Sequence, residues 1–284
     1  MSKIALVTDS TTYMPPELVQ KYDISVAPQV LIWGDQTYKD GVDIESKEFF
    51  TRLKTAKVMP TTSQVAVVSF QEIFQDLVNK DHEVIALLVS SKLSGTIQSA
   101  VQARELLGGG GEKIHIVDSQ SVAMALGFQV LTVARALEDG ASLKDALALA
   151  EKLHQYTGVF FTPETLEFLH RGGRIGGAQR FVGTMLNMKP ILAIQDGRVE
   201  PVERIRTKSK AHNRVLELVI EKTRGKSPIR LSTLHANAGE EARALLTRAE
   251  QELKPVESIF TEVSPTVGTH AGPGTVGLAF MAGM

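Results

Sequence analysis

Short apolar runs alternate with helix-like patterns along the first half of this 284-residue chain. The six apolar residues Val84–Val89 are too few for a typical helix and predict a strand buried on both faces. After them, apolar residues recur three or four positions apart and predict one face of a helix: Ile97, Ala100, Ala103 and Leu107. The same succession of strand and helix starts at Lys3–Val7 and at Ile114–Val117. This pattern predicts a parallel sheet joined by right-handed crossovers.

The pattern changes near residue 156. Ile191–Ile194 and Arg198–Arg206 flank the dipeptide Asp196–Gly197, which is typical of a hairpin between antiparallel strands. More strands are predicted in this half at Thr157–Phe161, Ile229–His235 and Val256–Val263. We therefore predict an α/β protein of two domains. Residues 1–156 form an N-terminal α/β domain on a parallel sheet, and residues 157–284 form a C-terminal α/β domain on a mixed, partly antiparallel sheet.

A turn rich in hydroxyl groups, Ser90–Thr96, joins the Val84–Val89 strand to its helix. The start of a helix leaves backbone N–H groups unpaired, and together with the hydroxyls of Ser94 and Thr96 they form a receptor for an anion. In a simpler interpretation, Ser94 only caps its own helix. The position favours a binding site, because open α/β sheets bind ligands at the carboxyl ends of their strands.

Other polar segments carry further candidate residues. Ser69 begins a capping-box pattern for the helix that follows the loop MPTTSQ, which leaves the hydroxyls of Thr62 and Ser63 available for a ligand or for solvent. His270 lies in a segment rich in glycine and proline, predicted to be a turn, where the backbone can approach a ligand closely. Asp9, after the first strand, either caps a turn or lies near the Ser90–Thr96 turn.

Composition narrows the classes of function. The chain is 43% hydrophobic and 22% charged, as in soluble globular proteins, and its formal net charge of −1 argues against general nucleic-acid binding. It contains no cysteine, which excludes disulfides and thiol catalysis, and its seven histidines show no metal-binding spacing. No apolar run approaches the length of a membrane span, so we expect a cytoplasmic protein without a metal site.

Six short motifs occur in a fixed order along nearly the whole chain: Thr8–Ser10, Thr62–Gln64, Ser90–Thr96, Gly172–Ile175, Lys189–Leu192 and His270–Gly274. In this order they resemble the DegV family, the bacterial fatty-acid-binding proteins that serve as the carrier subunit of fatty acid kinase. The resemblance implies a two-domain fold with a long-chain fatty acid such as palmitate between the domains. It implies no cofactor other than this ligand and no catalytic activity of the chain itself.

The resemblance also assigns roles to individual residues. It implies that hydroxyls of Thr62 and Ser94 hold the carboxylate, with His270 in the same head-group site. The complete set of predicted ligand-binding residues is Thr62, Ser63, Ser94, Gly95, Thr96 and His270. Arg174 matches an arginine near the pocket mouth, associated with acyl phosphate or with the kinase partner, and Arg206 is similar to a second such arginine. The implied partner is the ATP-binding kinase subunit, which makes acyl phosphate for phospholipid synthesis.

Two other functions are alternatives to this interpretation. The first is a hydrolase acting on an acyl substrate, with Ser94 as the nucleophile and His270 as the base, although the chain lacks the GxSxG elbow of such enzymes. The second is a nucleotide-binding enzyme, which the missing phosphate-loop and dinucleotide motifs disfavour.

Overall fold

The computed structural model describes residues 3–183 and 188–284. In chain order the strands are β1 (Ile4–Asp9), β2 (Ser25–Ala27), β3 (Val30–Trp33), β4 (Gln36–Lys39), β5 (Thr61–Ser63), β6 (Glu83–Leu88), β7 (Ile114–Asp118), β8 (Thr157–Thr162), β9 (Lys189–Gln195), β10 (Arg198–Ile205), β11 (Ile229–His235), β12 (Glu257–Ile259) and β13 (Val276–Ala282). The helices are α1 (Pro16–Lys21), α2 (Ser46–Leu53), α3 (Val67–Asn79), α4 (Thr96–Leu106), α5 (Ala123–Glu138), α6 (Leu143–Lys152), α7 (Glu167–Arg171), α8 (Lys208–Thr223), α9 (Gly239–Leu253) and α10 (Pro265–Ala271).

The first sheet is parallel throughout and has the strand order β2-β1-β6-β7. Its central strand β6 is buried from Val84 to Leu88, as the uninterrupted apolar run predicts. Phe70 and Phe74 of α3 and Ala100 of α4 pack against one face, while α5 covers the other. The predicted parallel sheet with helical crossovers is confirmed.

The second sheet is mixed, with the strand order β10-β9-β8-β13-β11-β12. Only β11 and β12 pair in parallel among its neighbours, and the predicted hairpin at Asp196–Gly197 joins β9 to β10. Helices α8 and α9 cover one face, and α5 contacts β8, β11 and β13 on the other. Because α5 touches both sheets, one apolar core contains residues of both halves. The domain boundary near residue 156 stays a prediction.

A third, three-stranded antiparallel sheet has the order β4-β3-β5, and its strand β5 was not predicted. It includes Thr61–Ser63, which the sequence predicts to be a loop, and it pairs Thr62 with Leu31 of β3. A polar segment of three residues carries no period-two pattern, so only its pairing with β3 makes it a strand. The sheet lies against α10, which brings β5 and α10 together.

The capping-box prediction for α3 was wrong. The helix begins at Val67, its N-cap residue is Ala66 without a side-chain hydrogen bond, and Ser69 lies within the first turn. Val65, which precedes the helix, is fully buried, and Val67 packs on the same core. Apolar anchoring therefore decides where this helix begins, in place of a side-chain cap.

Candidate functional site

A cavity that is partly open to solvent lies between the carboxyl end of the parallel sheet and the mixed sheet. Most of its wall is apolar and comes from both halves of the chain, including Val89, Val122, Phe161, Ile194, Val199 and Leu234. Such a wall suits a long apolar ligand.

Polar side chains also contribute to this mostly apolar wall. Five of the predicted site residues line the cavity: Thr62, Ser63, Ser94, Arg174 and His270. Two others, Gly95 and Thr96, lie behind the wall in the same turn as Ser94. Arg206 follows the end of β10, is exposed, and is not among the residues that line the cavity.

Ser94 is not the N-cap residue of α4. That position belongs to Gly95, which has no side chain to bond to the helix end. The Ser94 hydroxyl oxygen lies 2.8 Å from the Thr96 hydroxyl and accepts the Thr96 backbone N–H at 3.3 Å. A Cβ at position 95 would lie 3.1 Å from the Gln64 side-chain amide carbon, so a glycine there lets the two predicted ligand loops touch.

His270 lies in the last turn of α10, and its predicted position in an irregular turn was wrong. Ser264 caps this helix by accepting the Val267 N–H at 3.4 Å, Pro265 occupies the first turn, and Gly272 follows the helix with φ +77°. Pro265 and Gly272 therefore mark the start and the end of a helix, and not an irregular turn. From β5, Thr62 meets the His270 ring, with 2.7 Å between Oγ1 and Nε2.

Burial keeps the His270 imidazole neutral. Desolvation, assisted by the positive charge of Arg174, lowers the pKa of His270 to about 4. The ring packs against the backbone at Gly172, where an added Cβ would lie only 2.1 Å from Nδ1. The first glycine of the Gly172–Ile175 motif is therefore needed for the position of the ring.

Two backbone carbonyls hold the Arg174 guanidinium beside this group. Its Nε donates to the Leu93 carbonyl at 2.9 Å, and Nη1 donates to the Gly172 carbonyl at 2.8 Å. A second cavity adjoins the first and is also lined by Arg174, Thr62 and His270. These three side chains thus face both cavities.

A buried polar network behind the site contains Asp9, which the sequence identified as a candidate, and Gln29 and Asp40, which it did not. The fully buried Asp9 accepts the Val89 N–H at 2.7 Å, which links the ends of β1 and β6, and burial raises its pKa. Gln29, 1% exposed, lines the cavity and contacts Asp9. The carboxyl of Asp40 accepts hydrogen bonds from Ser10 and from the backbone of α10, and burial raises its pKa to about 6.

The geometry bears on the alternative functions. Among residues 3–183 and 188–284, no hydrogen bond joins Ser94 to His270, because Ser94 bonds to Thr96 and Nε2 of His270 bonds to Thr62. In the same ranges, no cluster of three or more metal-binding side chains occurs. None of the helices that the structure describes is both long enough and apolar enough to cross a membrane.

Comparisons with known proteins agree over nearly the whole chain. The model of the DegV family, described as a family of uncharacterised proteins, matches residues 3–283. A DegV domain-containing protein of Halalkalibacterium halodurans is 35% identical over 283 residues, which is 99% of each chain. A fatty-acid-binding DegV family protein of Thermus thermophilus is similar in structure, with a TM-score of 0.92 and 35% identity over 99% of both chains. DegV of Bacillus subtilis, a fatty-acid-binding protein, has a TM-score of 0.90 and 31% identity, over 99% of this chain and 100% of its own.

Proposed function

The chain belongs to the DegV family, and on that premise we propose that it binds a long-chain fatty acid such as palmitate in the cavity between its two halves. It then presents the carboxylate to a separate ATP-dependent kinase subunit, which forms acyl phosphate for phospholipid synthesis. The chain itself is a cytoplasmic carrier without catalytic activity. The observation that carries this proposal is an apolar cavity whose lining includes the hydroxyl residues Ser94 and Thr62 and the imidazole of His270.

The apolar wall supplies the affinity. Burying an acyl chain contributes about 0.8 kcal/mol for each CH₂ group, so a chain of about sixteen carbons gains on the order of 10 kcal/mol before the costs of binding. Aliphatic and aromatic side chains at the ends of β6, β8 and β11 form the apolar wall against which the acyl chain is buried. A few polar contacts then suffice to fix the position of the carboxylate head group.

The polar group accounts for the head group of the ligand. A buried carboxylate needs hydrogen-bond donors, or its pKa rises until it takes up a proton. Thr62, Ser63 and Ser94 line the cavity, and Gly95 and Thr96 support the Ser94 turn. The positive charge of Arg174 nearby favours the ionised form of the acid, while the neutral ring of His270 adds no charge.

The second cavity supports presentation to a partner. Thr62, His270 and Arg174 border both cavities, so a carboxylate held there has one side toward open space. Two of the guanidinium's five donors bond to backbone carbonyls, which leaves three for a phosphate. In this proposal Arg174 contacts the transferred phosphate or the kinase, and the exposed Arg206 contacts the kinase from outside the cavity.

Mass spectrometry of an organic extract of the purified protein is the direct test. We expect one long-chain fatty acid per chain, and the delipidated protein should take up a fluorescent fatty acid in the same ratio. Supplying ATP and fatty acid without a kinase subunit should yield no acyl phosphate. Preparations that contain no lipid and do not bind the probe would refute fatty-acid binding, whereas acyl phosphate formed without a partner would refute the carrier role alone.

A further inference from the structure

Behind the cavity wall, a buried chain of hydrogen bonds connects Asp9 to Ser94 through two intermediate side chains. Gln29 contacts Asp9 and Thr96, and Thr96 contacts Ser94. Asp9, Gln29 and Thr96 are at most 1% exposed, whereas Ser94 borders the cavity. The carrier function proposed above gives Gln29 no role, although it reaches both a buried carboxyl and the head-group site.

The Asp9 carboxyl fixes the orientation of the Gln29 amide. Asp9 already accepts from Val89 N at 2.7 Å, from Thr11 N at 3.0 Å and from the Thr11 hydroxyl at 2.6 Å. The Gln29 amide approaches the same carboxyl at 3.3 Å. If the amide were reversed, its oxygen would face a carboxyl oxygen, and two acceptors would meet. Nε2 of Gln29 therefore points toward Asp9.

This orientation determines the direction of the remaining hydrogen bonds. Nε2 of Gln29 also donates to the Thr96 hydroxyl oxygen at 2.9 Å. The hydroxyl hydrogen of Thr96 then has two acceptors, the Gln29 amide oxygen at 3.2 Å and the Ser94 hydroxyl at 2.8 Å. If the Thr96 hydrogen takes the closer of these two acceptors, at the distance usual between hydroxyls, Thr96 donates to Ser94. Since Ser94 accepts there and from the Thr96 N–H, its own hydrogen is left for the cavity.

The Thr62 hydroxyl, elsewhere in the head-group site, is oriented in the same way as that of Ser94. His270 is neutral and carries one ring hydrogen, while its buried Nδ1 has no partner among the described residues. A buried N–H without a partner is costlier and rarer than a buried lone pair without one. The hydrogen is therefore on Nε2 and is donated to the Thr62 hydroxyl, 2.7 Å away. The hydroxyl hydrogen of Thr62 is then free to point into the cavity.

We propose that Gln29 is a positioning residue that, through Thr96, turns the hydroxyl hydrogen of Ser94 toward the ligand. With Thr62 oriented alike, both hydroxyls present a hydrogen to the head group. The site therefore favours a lipid whose head group only accepts hydrogen bonds, the ionised carboxylate, over a lipid alcohol of equal chain length, whose O–H needs an acceptor. This inference rests on the proposed function and adds to it the origin of head-group selectivity.

The test compares palmitate with hexadecan-1-ol as competitors for a bound fluorescent fatty acid, because both carry the same chain length. The wild-type protein should prefer palmitate. Gln29→Met keeps the side-chain length and removes the amide, which frees Thr96 to accept from Ser94. We expect palmitate binding to weaken about tenfold, with alcohol binding unchanged or tighter. The preference for the acid should therefore fall by at least that factor.

Two further sets of variants separate positioning from general destabilisation. Gln129→Met removes another fully buried amide, which bonds to the Ser119 carbonyl and to Thr157 and is not part of this chain of bonds. It should lower the melting temperature and leave the preference for palmitate unchanged. Thr96→Val should reproduce the lost preference and Thr96→Ser should recover most of it, and this pair carries the test if Gln29→Met does not fold.

The outcomes distinguish the two proposals. If the wild-type protein binds neither lipid, the proposed function itself fails. If it binds palmitate, but Gln29→Met and Thr96→Val keep the wild-type ratio of acid to alcohol affinity, only the role of Gln29 is refuted. If the wild-type protein binds alcohol and acid equally well, the two hydroxyls do not favour a head group that only accepts hydrogen bonds, and the inference is wrong.

Discussion

A single added methyl group at Gly172 should disable the head-group site without altering the backbone. Gly172 has φ −75° and ψ −7°, a conformation that alanine adopts without strain. The added Cβ would lie 2.1 Å from Nδ1 of His270 and 2.7 Å from its Cε1. Because ordinary contact begins at about 3.4 Å, the ring must move by roughly 1.3 Å, the difference between 3.4 and 2.1 Å.

That movement breaks the hydrogen bond between His270 and Thr62, which is 2.7 Å long. Leaving a buried polar group without its partner costs about 1–3 kcal/mol. If the two side chains hold the carboxylate together, Gly172→Ala should weaken palmitate binding by a similar amount, or roughly 5–150-fold. Titration of the delipidated variant with a fluorescent fatty acid measures this loss directly.

The neighbouring glycine provides a matched control. Gly173 has φ +70°, but nothing lies within 4 Å of an added Cβ. Gly173→Ala should therefore cost about 1 kcal/mol of folding stability through backbone strain and leave palmitate affinity unchanged. In a His270→Ala background, Gly172→Ala should have little further effect, since the group that it displaces is gone. Wild-type affinity in Gly172→Ala would refute the role assigned to the His270 position.

Three other changes test the remaining parts of the proposal. Thr62→Ala or Ser94→Ala should weaken palmitate binding by roughly 1–3 kcal/mol while melting of the ligand-free protein changes little; a large loss of stability at unchanged affinity would contradict this. Arg174→Ala should bind palmitate nearly as wild type but give much less acyl phosphate when the kinase subunit and ATP are supplied; undiminished formation would remove Arg174 from the mechanism. The pKa of Asp40 is raised from 3.8 to about 6 in the folded protein, so its ionisation destabilises the fold as pH rises from about 4 to 6, by about 3 kcal/mol. Asp40→Asn should lack this loss in chemical denaturation at pH 4 and pH 7, and an unchanged pH dependence would show that Asp40 titrates normally.

The pattern of the sequence predicts the two main sheets because both depend on local signals. The apolar run Val84–Val89, followed by helical spacing, indicates a buried parallel strand, and Asp196–Gly197 indicates a hairpin. The strand Thr61–Ser63 has no such signal, because its conformation depends on pairing with a strand thirty residues earlier in the chain. The start of α3 was misplaced for a related reason, since the burial of Val65 outweighs the capping pattern at Ser69.

The residues of the candidate site were predictable to different degrees. Ordered motifs identified the loops of Thr62, Ser94 and His270, which the fold brings to one cavity. Gln29 was missed because it belongs to no motif and gains its place through a contact with Thr96, 67 positions away. The glycine at position 172 is visible in the sequence, but the imidazole ring that requires it becomes visible only when α10 is in place.

The order of strands in the mixed sheet constrains how the chain is made. Strand β13 lies between β8 and β11, although ribosomes synthesise it after both. Until it emerges, β8 and β11 each lack a neighbour, and unpaired strand edges favour association with other chains. Completion of this sheet must therefore follow the synthesis of the last strand.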